Sequence, residues 1–126
     1  MKDWTKVKYF KQEEFDSPDV KGSGEEMNEK LILLLDDLRD KIGQPLKITS
    51  GFRTVRYNSA IHGAINSAHM RGKAADISAN TTLLRFKIVN EALKLGIVRM
   101  EIAPLHIHID IDETLPQNVI IHLASY

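Results

Sequence analysis

Histidine and aspartate alternate with isoleucine in one short segment near the C-terminal end of the sequence. The run His-Ile-His-Ile-Asp-Ile-Asp occupies residues 106–112. Because side chains on a β-strand alternate between its two faces, a strand here places the polar residues on one face and the isoleucines on the other. Imidazole and carboxylate groups are common ligands of divalent metals, which favours a metal site. The alternative interpretation is a polar strand face in contact with water. The residues that share this face are His106, His108, Asp110 and Asp112.

A second histidine and carboxylate lie close together in the middle of the sequence. His69 ends a glycine-rich stretch, and Asp76 follows it between two alanines and an isoleucine. Gly72 lies between them and allows a tight turn that could bring the two side chains together. A metal ligand and an ordinary hydrogen-bonded loop histidine are both open interpretations of His69.

The composition excludes several classes of protein. The 126 residues include no cysteine, which excludes disulfide scaffolds, cysteine-ligated zinc fingers, iron–sulfur clusters and thiol nucleophiles. The 17 lysines and arginines balance the 17 aspartates and glutamates, so no general attraction to nucleic acid or to a membrane surface is expected. The balance is uneven along the chain, because residues 44–76 contain five basic residues and one acidic residue, Asp76.

The hydrophobic pattern predicts two main helices and several short strands. Apolar residues recur at three- and four-residue steps over residues 27–42 and again over 82–95, and a glycine follows each segment. We therefore predict an α+β fold, with a small antiparallel sheet and two main helices packed on it. A single domain is expected over residues 1–126, with residues 1–26 as an irregular lead-in packed on the body. Strands are predicted at residues 46–49, 74–77, 97–102, 106–111 and 119–123, and a loop at 50–73 with a turn or two of helix near 55–60.

Three segments of the sequence carry the motifs on which a resemblance to a known family rests. The first is Ser50-Gly51-Phe52-Arg53, followed by Asn58 and Gly63; the second is Ser67-x-His69-x-x-Gly72-x-Ala74-x-Asp76; the third is His108-x-Asp110. In this order they resemble the upstream segment and the two metal motifs of the M15 peptidases. This family contains zinc D-Ala-D-Ala carboxypeptidases and L-alanyl-D-glutamate endopeptidases. The resemblance covers about residues 9–121 and implies a Hedgehog/DD-peptidase-like fold.

The resemblance also implies one zinc ion and a set of site residues. The implied zinc ligands are His69, Asp76 and His108, and two histidines with one carboxylate leave a fourth position for water. Asp110 is the implied hydrogen-bonding partner of His108. The implied substrate-binding residues are Arg53, Asn58 and Ser67, and Arg53 is also the arginine that engages a substrate carboxylate or the developing oxyanion.

The sequence departs from the family pattern at the general base. Many members carry an acidic residue three positions before the second histidine ligand, and Leu105 occupies that position here. Two other residues could act as the base, and the sequence does not choose between them. They are His106 and Glu101.

The function that these observations predict is a zinc peptidase that hydrolyses peptidoglycan stem peptides, as a carboxypeptidase or an endopeptidase. The first alternative is a non-catalytic zinc-binding module of the same fold, and the second is a globular domain whose histidines are structural. The expected partner is a peptidoglycan peptide, with no nucleic acid and no membrane span, and a monomer is expected. No apolar stretch follows the first six residues, so no signal peptide is visible. Action at the cell wall or periplasm is expected nonetheless, from a phage-encoded enzyme or one whose leader has been removed.

Overall fold

Three α-helices, five strands and four short 3-10 helices make up the regular structure of residues 2–123, which are the residues that the computed structural model describes. The predicted α+β class is confirmed, and the helical turns expected near residues 55–60 form a short helix. The predicted domain also includes residues 1 and 124–126, which lie outside the described residues. The helices are α1 (Glu29–Ile42), α2 (Val55–Ala60) and α3 (Thr82–Lys94). The strands are β1 (Ile48–Ser50), β2 (Ala74–Ser78), β3 (Arg99–Ile102), β4 (His106–Asp110) and β5 (Val119–His122).

Capping residues decide where the two long helices begin and end. The Asn28 side chain accepts a hydrogen bond from the backbone N–H of Leu31 at 3.2 Å, so α1 starts two residues later than the hydrophobic pattern predicts. Gly43 ends α1 with a φ of +75°, a left-handed conformation that favours glycine. Thr81 caps α3 in the same way as Asn28 caps α1. Among residues 2–123, no helix combines the length and hydropathy that crossing a bilayer requires.

The sheet is mixed, which corrects the expectation of a wholly antiparallel sheet. Its strand order is β1-β2-β4-β3-β5, and every neighbouring pair is antiparallel except β3 and β5. The chain reverses after β4 and passes beyond β3 before it forms β5. Because β3 and β5 are both antiparallel in direction to β4, they run parallel to each other. Strand ends differ from the predicted ones by one or two residues, since backbone hydrogen bonds rather than hydrophobicity define them.

The two faces of the sheet have different neighbours. Alternation along β2 and β4 sends Ile77, Ile107 and Ile109 into the hydrophobic core, where all three are fully buried with apolar residues of α1 and α3. The opposite face carries the polar residues of the same strands, including Asp76 and His108. These residues are also buried, so this face is not a wet surface.

The N-terminal lead-in packs against the body and supports the loop after β1. Phe15 is fully buried, and its ring lies 6.0 Å from that of Trp4 and 5.6 Å from that of Phe10, between ring centroids. The carbonyl of Phe15 accepts a hydrogen bond from the backbone N–H of Phe52 at 2.9 Å. Gly51 approaches so closely that an added Cβ would lie 2.7 Å from Cα of Phe15.

A buried carboxylate on α1 attaches the lead-in to the helix, and this contact can be tested. Asp36 accepts hydrogen bonds at 2.9 Å from the backbone N–H groups of Lys8 and Tyr9. We expect Asp36→Ala to lower the free energy of unfolding by about 1–2 kcal/mol, because it leaves two backbone donors without an acceptor. Urea denaturation measures this change. Asp37→Ala is the matched control, since Asp37 is the exposed neighbour on the same helix and its removal should have little effect.

Candidate metal centre

Three side chains of the types that bind metal ions come together on the polar face of the sheet, and each belongs to a different element. Nε2 of His69 lies 3.2 Å from Oδ1 of Asp76 and 3.2 Å from Nδ1 of His108. Nδ1 of His108 lies 3.0 Å from the same oxygen of Asp76. The ligands of a tetrahedral zinc ion, at about 2.0–2.2 Å from the metal, are separated from one another by about 3.3–3.6 Å. The triangle formed by these three atoms is therefore only slightly smaller than one face of a zinc coordination tetrahedron.

His69 is held in place by the loop that surrounds it. It belongs to the 3-10 helix Ala68–Arg71, which Ser67 caps by accepting a hydrogen bond from the backbone N–H of His69 at 3.2 Å. Nδ1 of the ring lies 2.7 Å from the carbonyl oxygen of Gly51. Because a carbonyl can only accept, Nδ1 carries the proton, and the lone pair of a neutral ring is left on Nε2. The backbone of Gly51 thus determines which nitrogen His69 presents to the cluster.

His108 and Asp76 are brought together by strand register. They are directly paired residues of the antiparallel strands β4 and β2, so their side chains leave the same face of the sheet next to each other. Nε2 of His108 lies 2.7 Å from Oδ2 of Asp110, which accepts a hydrogen bond from the Nε2–H group. The lone pair of a neutral ring is then on Nδ1, the nitrogen that faces Asp76 and His69.

The donor set of this cluster suits a divalent metal ion. When both imidazoles are neutral, two ring nitrogens and one carboxylate oxygen meet as acceptors, and acceptors in this arrangement repel one another unless a proton or a metal cation lies among them. All three side chains are buried, with 2%, 5% and 7% of His69, Asp76 and His108 exposed, so water screens them poorly. The ligand atoms lie within 4.8 Å of one another and could hold a metal ion. Nitrogen and oxygen ligands in this ratio fit zinc.

The cluster also shifts the protonation of its own members. Burial tends to raise the pKa of Asp76, but hydrogen bonds with His108 and His69 outweigh it and hold that pKa well below its ordinary value. Burial tends to lower the pKa of His108, but hydrogen bonds to Asp110 and Asp76 outweigh it and raise the pKa to about 9. Without a metal, a proton on His108 therefore supplies positive charge to the cluster at neutral pH.

Arg53 lies beside the cluster and contacts the other oxygen of Asp76. Its Nη2 donates to Oδ2 of Asp76 at 3.3 Å, its Nη1 to Oδ1 of Asn58 at 3.3 Å and its Nε to Oγ of Ser50 at 3.0 Å. A guanidinium has five N–H donors, so these contacts leave two for another acceptor. Oδ1 of Asp76 faces His69 and His108, while Oδ2 faces Arg53 and, at 3.7 Å, Nε2 of His106, so the carboxylate is oriented toward the cluster through one oxygen.

The polar atoms of Asn58 and Ser67 are engaged within the protein. Asn58 is buried; its Oδ1 accepts from Arg53, and its Nδ2 donates to the carbonyl of Ala64 at 2.8 Å. Ser67 caps the turn that carries His69. These contacts position Arg53 and His69. The substrate-binding role assigned to Asn58 and Ser67 from the sequence stays a prediction.

The two candidate bases lie on different sides of the cluster. Nε2 of His106 is 3.7 Å from Oδ2 of Asp76, and burial lowers the pKa of His106. Glu101 is paired with His108 in the register of β3 and β4, but its Oε2 is 3.5 Å from Nη2 of Arg99, on the side of Asp110. Leu105, at the position of the expected acid, is 58% exposed. The His106 ring is therefore next to the Asp76 carboxylate, whereas the Glu101 carboxylate contacts Arg99.

Two arginine–aspartate pairs near the end of β4, each with a buried carboxylate, were not foreseen from the sequence. Arg99 donates to Oδ2 of Asp110 at 2.8 Å, and Arg71 pairs with Asp112, which lies beyond β4 and outside the metal cluster. Hydrogen bonds with Thr114 and Arg71 outweigh the effect of burial and lower the pKa of Asp112. From the sequence, one can expect only that a buried carboxylate pairs with some cation. This expectation does not identify which arginine pairs with which aspartate.

Comparison with known proteins agrees with this geometry. A sequence model of the Peptidase M15 family matches residues 8–110, which include all three members of the cluster. The zinc D-Ala-D-Ala carboxypeptidase of Streptomyces albus G is 44% identical over 48 residues. This alignment covers 37% of the chain and 19% of that relative, so the matched segment spans about a fifth of the relative's length.

Metal binding at this cluster should release a proton at neutral pH. Because the pKa of His108 is raised to about 9, Nδ1 is protonated below that pH, and a metal must displace the proton to reach the lone pair. The apparent affinity should therefore fall as the pH falls below about 9. Isothermal titration calorimetry in two buffers of different ionisation enthalpy measures the protons released. A heat that does not depend on the buffer would contradict this prediction, and His122→Gln, an exposed histidine on β5, should release as many protons as the wild type.

Proposed function

The chain belongs to the peptidase M15 family, and we propose from this premise that it is a zinc-dependent peptidase that cleaves peptidoglycan stem peptides. The observation that carries the proposal is the convergence of His69, Asp76 and His108 on one point, with the presented nitrogen of each histidine determined by a contact on its far side. The relative from Streptomyces albus G is a zinc D-Ala-D-Ala carboxypeptidase, which supports this substrate class. The proposed activity includes both removal of a terminal D-alanine and cleavage within the stem peptide.

In this proposal His69, Asp76 and His108 hold one zinc ion. A bound zinc ion supplies a Lewis acid that acidifies water and polarises a peptide carbonyl. The three side chains provide two neutral ligands and one anionic ligand, which leave net positive charge at the centre. Arg53 adds a second cation next to Asp76 and keeps two N–H donors for a substrate carboxylate or for the oxyanion that develops during hydrolysis.

We assign the general base to His106. Its ring is next to Asp76, and its lowered pKa leaves the imidazole unprotonated at neutral pH, so that it can accept a proton from the attacking water. Glu101 is less suited to this role, because its carboxylate contacts Arg99 and lies on the far side of His108.

A second candidate function is a non-catalytic zinc-binding module. The observation in its favour is Leu105, an exposed apolar residue where many family members carry the acidic base. Zinc bound at one equivalent, without turnover of any wall peptide, would favour this alternative over a peptidase.

The substrate class also indicates where the protein acts. Peptidoglycan lies outside the cytoplasmic membrane, so we place the activity at the cell wall or periplasm. We propose that the protein acts as a monomer and as a single peptidase domain, because the metal cluster is assembled from residues of one chain.

The ligand assignment predicts loss of metal and of hydrolysis together. We expect His69→Ala, Asp76→Ala and His108→Ala each to reduce bound zinc well below one equivalent and to abolish chelator-sensitive cleavage of muropeptides, because each removes one of three ligands. Elemental analysis measures the zinc, and mass spectrometry of digested muropeptides identifies the bond that is cut. His122→Gln is the control and should retain both properties. Metal content that is unchanged in all three variants would refute the assignment.

The assignment of the base predicts a difference between two variants. We expect His106→Ala to lower kcat by about 10²–10⁴-fold with zinc content unchanged, because it removes the proton acceptor but no ligand. Glu101→Gln should keep kcat within a few fold of the wild type. Steady-state kinetics on a purified stem peptide decide between them, and the reverse pattern would assign the base to Glu101.

A further inference from the structure

A buried arginine contacts the carboxylate that orients His108. Arg99 is the first residue of β3 and only 7% exposed. Its Nε donates to Oδ2 of Asp110 at 2.8 Å, and the same oxygen accepts from Nε2 of His108 at 2.7 Å. Nη1 of Arg99 donates to the carbonyl of Pro116 at 3.0 Å, which holds the guanidinium from its other side. A continuous set of contacts therefore runs from Pro116 through Arg99 and Asp110 to His108.

Asp110 depends on this arginine. Its side chain is fully buried, and its second oxygen accepts a hydrogen bond from the backbone N–H of Asp112 at 3.1 Å. A desolvated carboxylate is stable only when cations or hydrogen-bond donors surround it. Among the described residues, Arg99 is the arginine in contact with Asp110. Without Arg99, Asp110 would lose the cation that holds Oδ2 against His108, and in the described part of the chain its remaining donors would be the backbone N–H of Asp112 and Nε2 of His108.

We propose that Arg99 is a positioning residue for the metal centre, which acts through Asp110 to keep Nδ1 of His108 directed at the metal. Arg99 itself touches neither the metal cluster nor a reacting atom. It holds Asp110 in the orientation that accepts a hydrogen bond from Nε2–H of His108, and this contact fixes both the tautomer and the rotation of the imidazole. The inference rests on the proposed zinc-peptidase function, because the ion that benefits from this orientation is zinc.

A double-mutant cycle on metal affinity tests whether Arg99 works through Asp110. The proteins are the wild type, Arg99→Met, Asp110→Ala and the double variant, and the measurement is the zinc Kd by competition with a chromophoric chelator at one neutral pH. We expect each single variant to bind zinc about tenfold more weakly than the wild type. The double variant should bind about as weakly as Asp110→Ala alone, because the effect of Arg99 on His108 passes through the carboxylate that alanine removes.

A spectroscopic measurement separates positioning from a general effect on folding. In the zinc-loaded wild type, long-range ¹H–¹⁵N NMR should show a proton on Nε2 of His108, and Arg99→Met should shift or broaden this signal. Arg71→Met is the matched control, since it removes the partly exposed arginine that pairs with another buried carboxylate, that of Asp112. It should lower the unfolding temperature but leave the Nε2 signal of His108 in place. Arg99→Lys keeps the charge and should restore part of the zinc affinity; it also replaces Arg99→Met in the cycle if that variant does not fold.

The outcomes distinguish this inference from the proposed function. A wild type that binds no zinc overturns both. If the wild type binds zinc and cleaves muropeptides, two results overturn only the role of Arg99. One is a zinc Kd of Arg99→Met within twofold of that of the wild type. The other is a double variant in which the effects of the two single substitutions on Kd multiply. Failure of cleavage with the cycle as expected supports the role of Arg99 in a non-catalytic zinc module.

Discussion

The candidate metal centre depends on three lone pairs that point at one another in a pocket with little access to water. His69, Asp76 and His108 present their acceptor atoms at separations of 3.0–3.2 Å. This arrangement is unfavourable without positive charge among the acceptors, and burial makes the demand stronger because the dielectric screening is weak. A proton on His108 meets the demand in part, and a divalent ion meets it fully. The surrounding structure keeps the acceptors from relaxing away from one another.

Packing and backbone hydrogen bonds outside the metal centre hold the three ligand side chains in place. The carbonyl of Gly51 orients His69, and Gly51 is in turn pressed against Phe15 of the N-terminal lead-in, which is anchored in the hydrophobic core. Asp76 and His108 are held by the register of two central strands whose other faces carry core isoleucines. The irregular N-terminal segment therefore has a structural connection to the site, and the same packing that stabilises the fold also positions the ligands.

The basic residues in the middle of the chain have two roles, only one of which their net charge implies. Five basic residues and one acidic residue in residues 44–76 are consistent with a surface that attracts carboxylates. In the structure, Arg53 contacts Asp76 and Arg71 contacts Asp112, so two of these cations neutralise buried anions of the protein itself. Arg53 can serve both purposes, because two of its N–H donors are left over. Part of the charge bias thus maintains the site, and the remainder is available for an anionic substrate in the proposed function.

The sequence by itself determined the helices, the alternation of His106, His108 and Asp110 on one strand face, and, through its motifs, the three candidate ligands. The helices and the alternation depend on residue type and local spacing, whereas the ligand set was implied by the resemblance of the motifs to the M15 peptidases. Only the tertiary structure decided that β5 runs parallel to β3, that Nε2 of His69 and Nδ1 of His108 are the nitrogens presented, and that Arg99 pairs with Asp110. Each of these depends on strand register or on contacts between distant segments. Local periodicity does not encode such contacts, because many partners of the same chemical type would satisfy the same buried group.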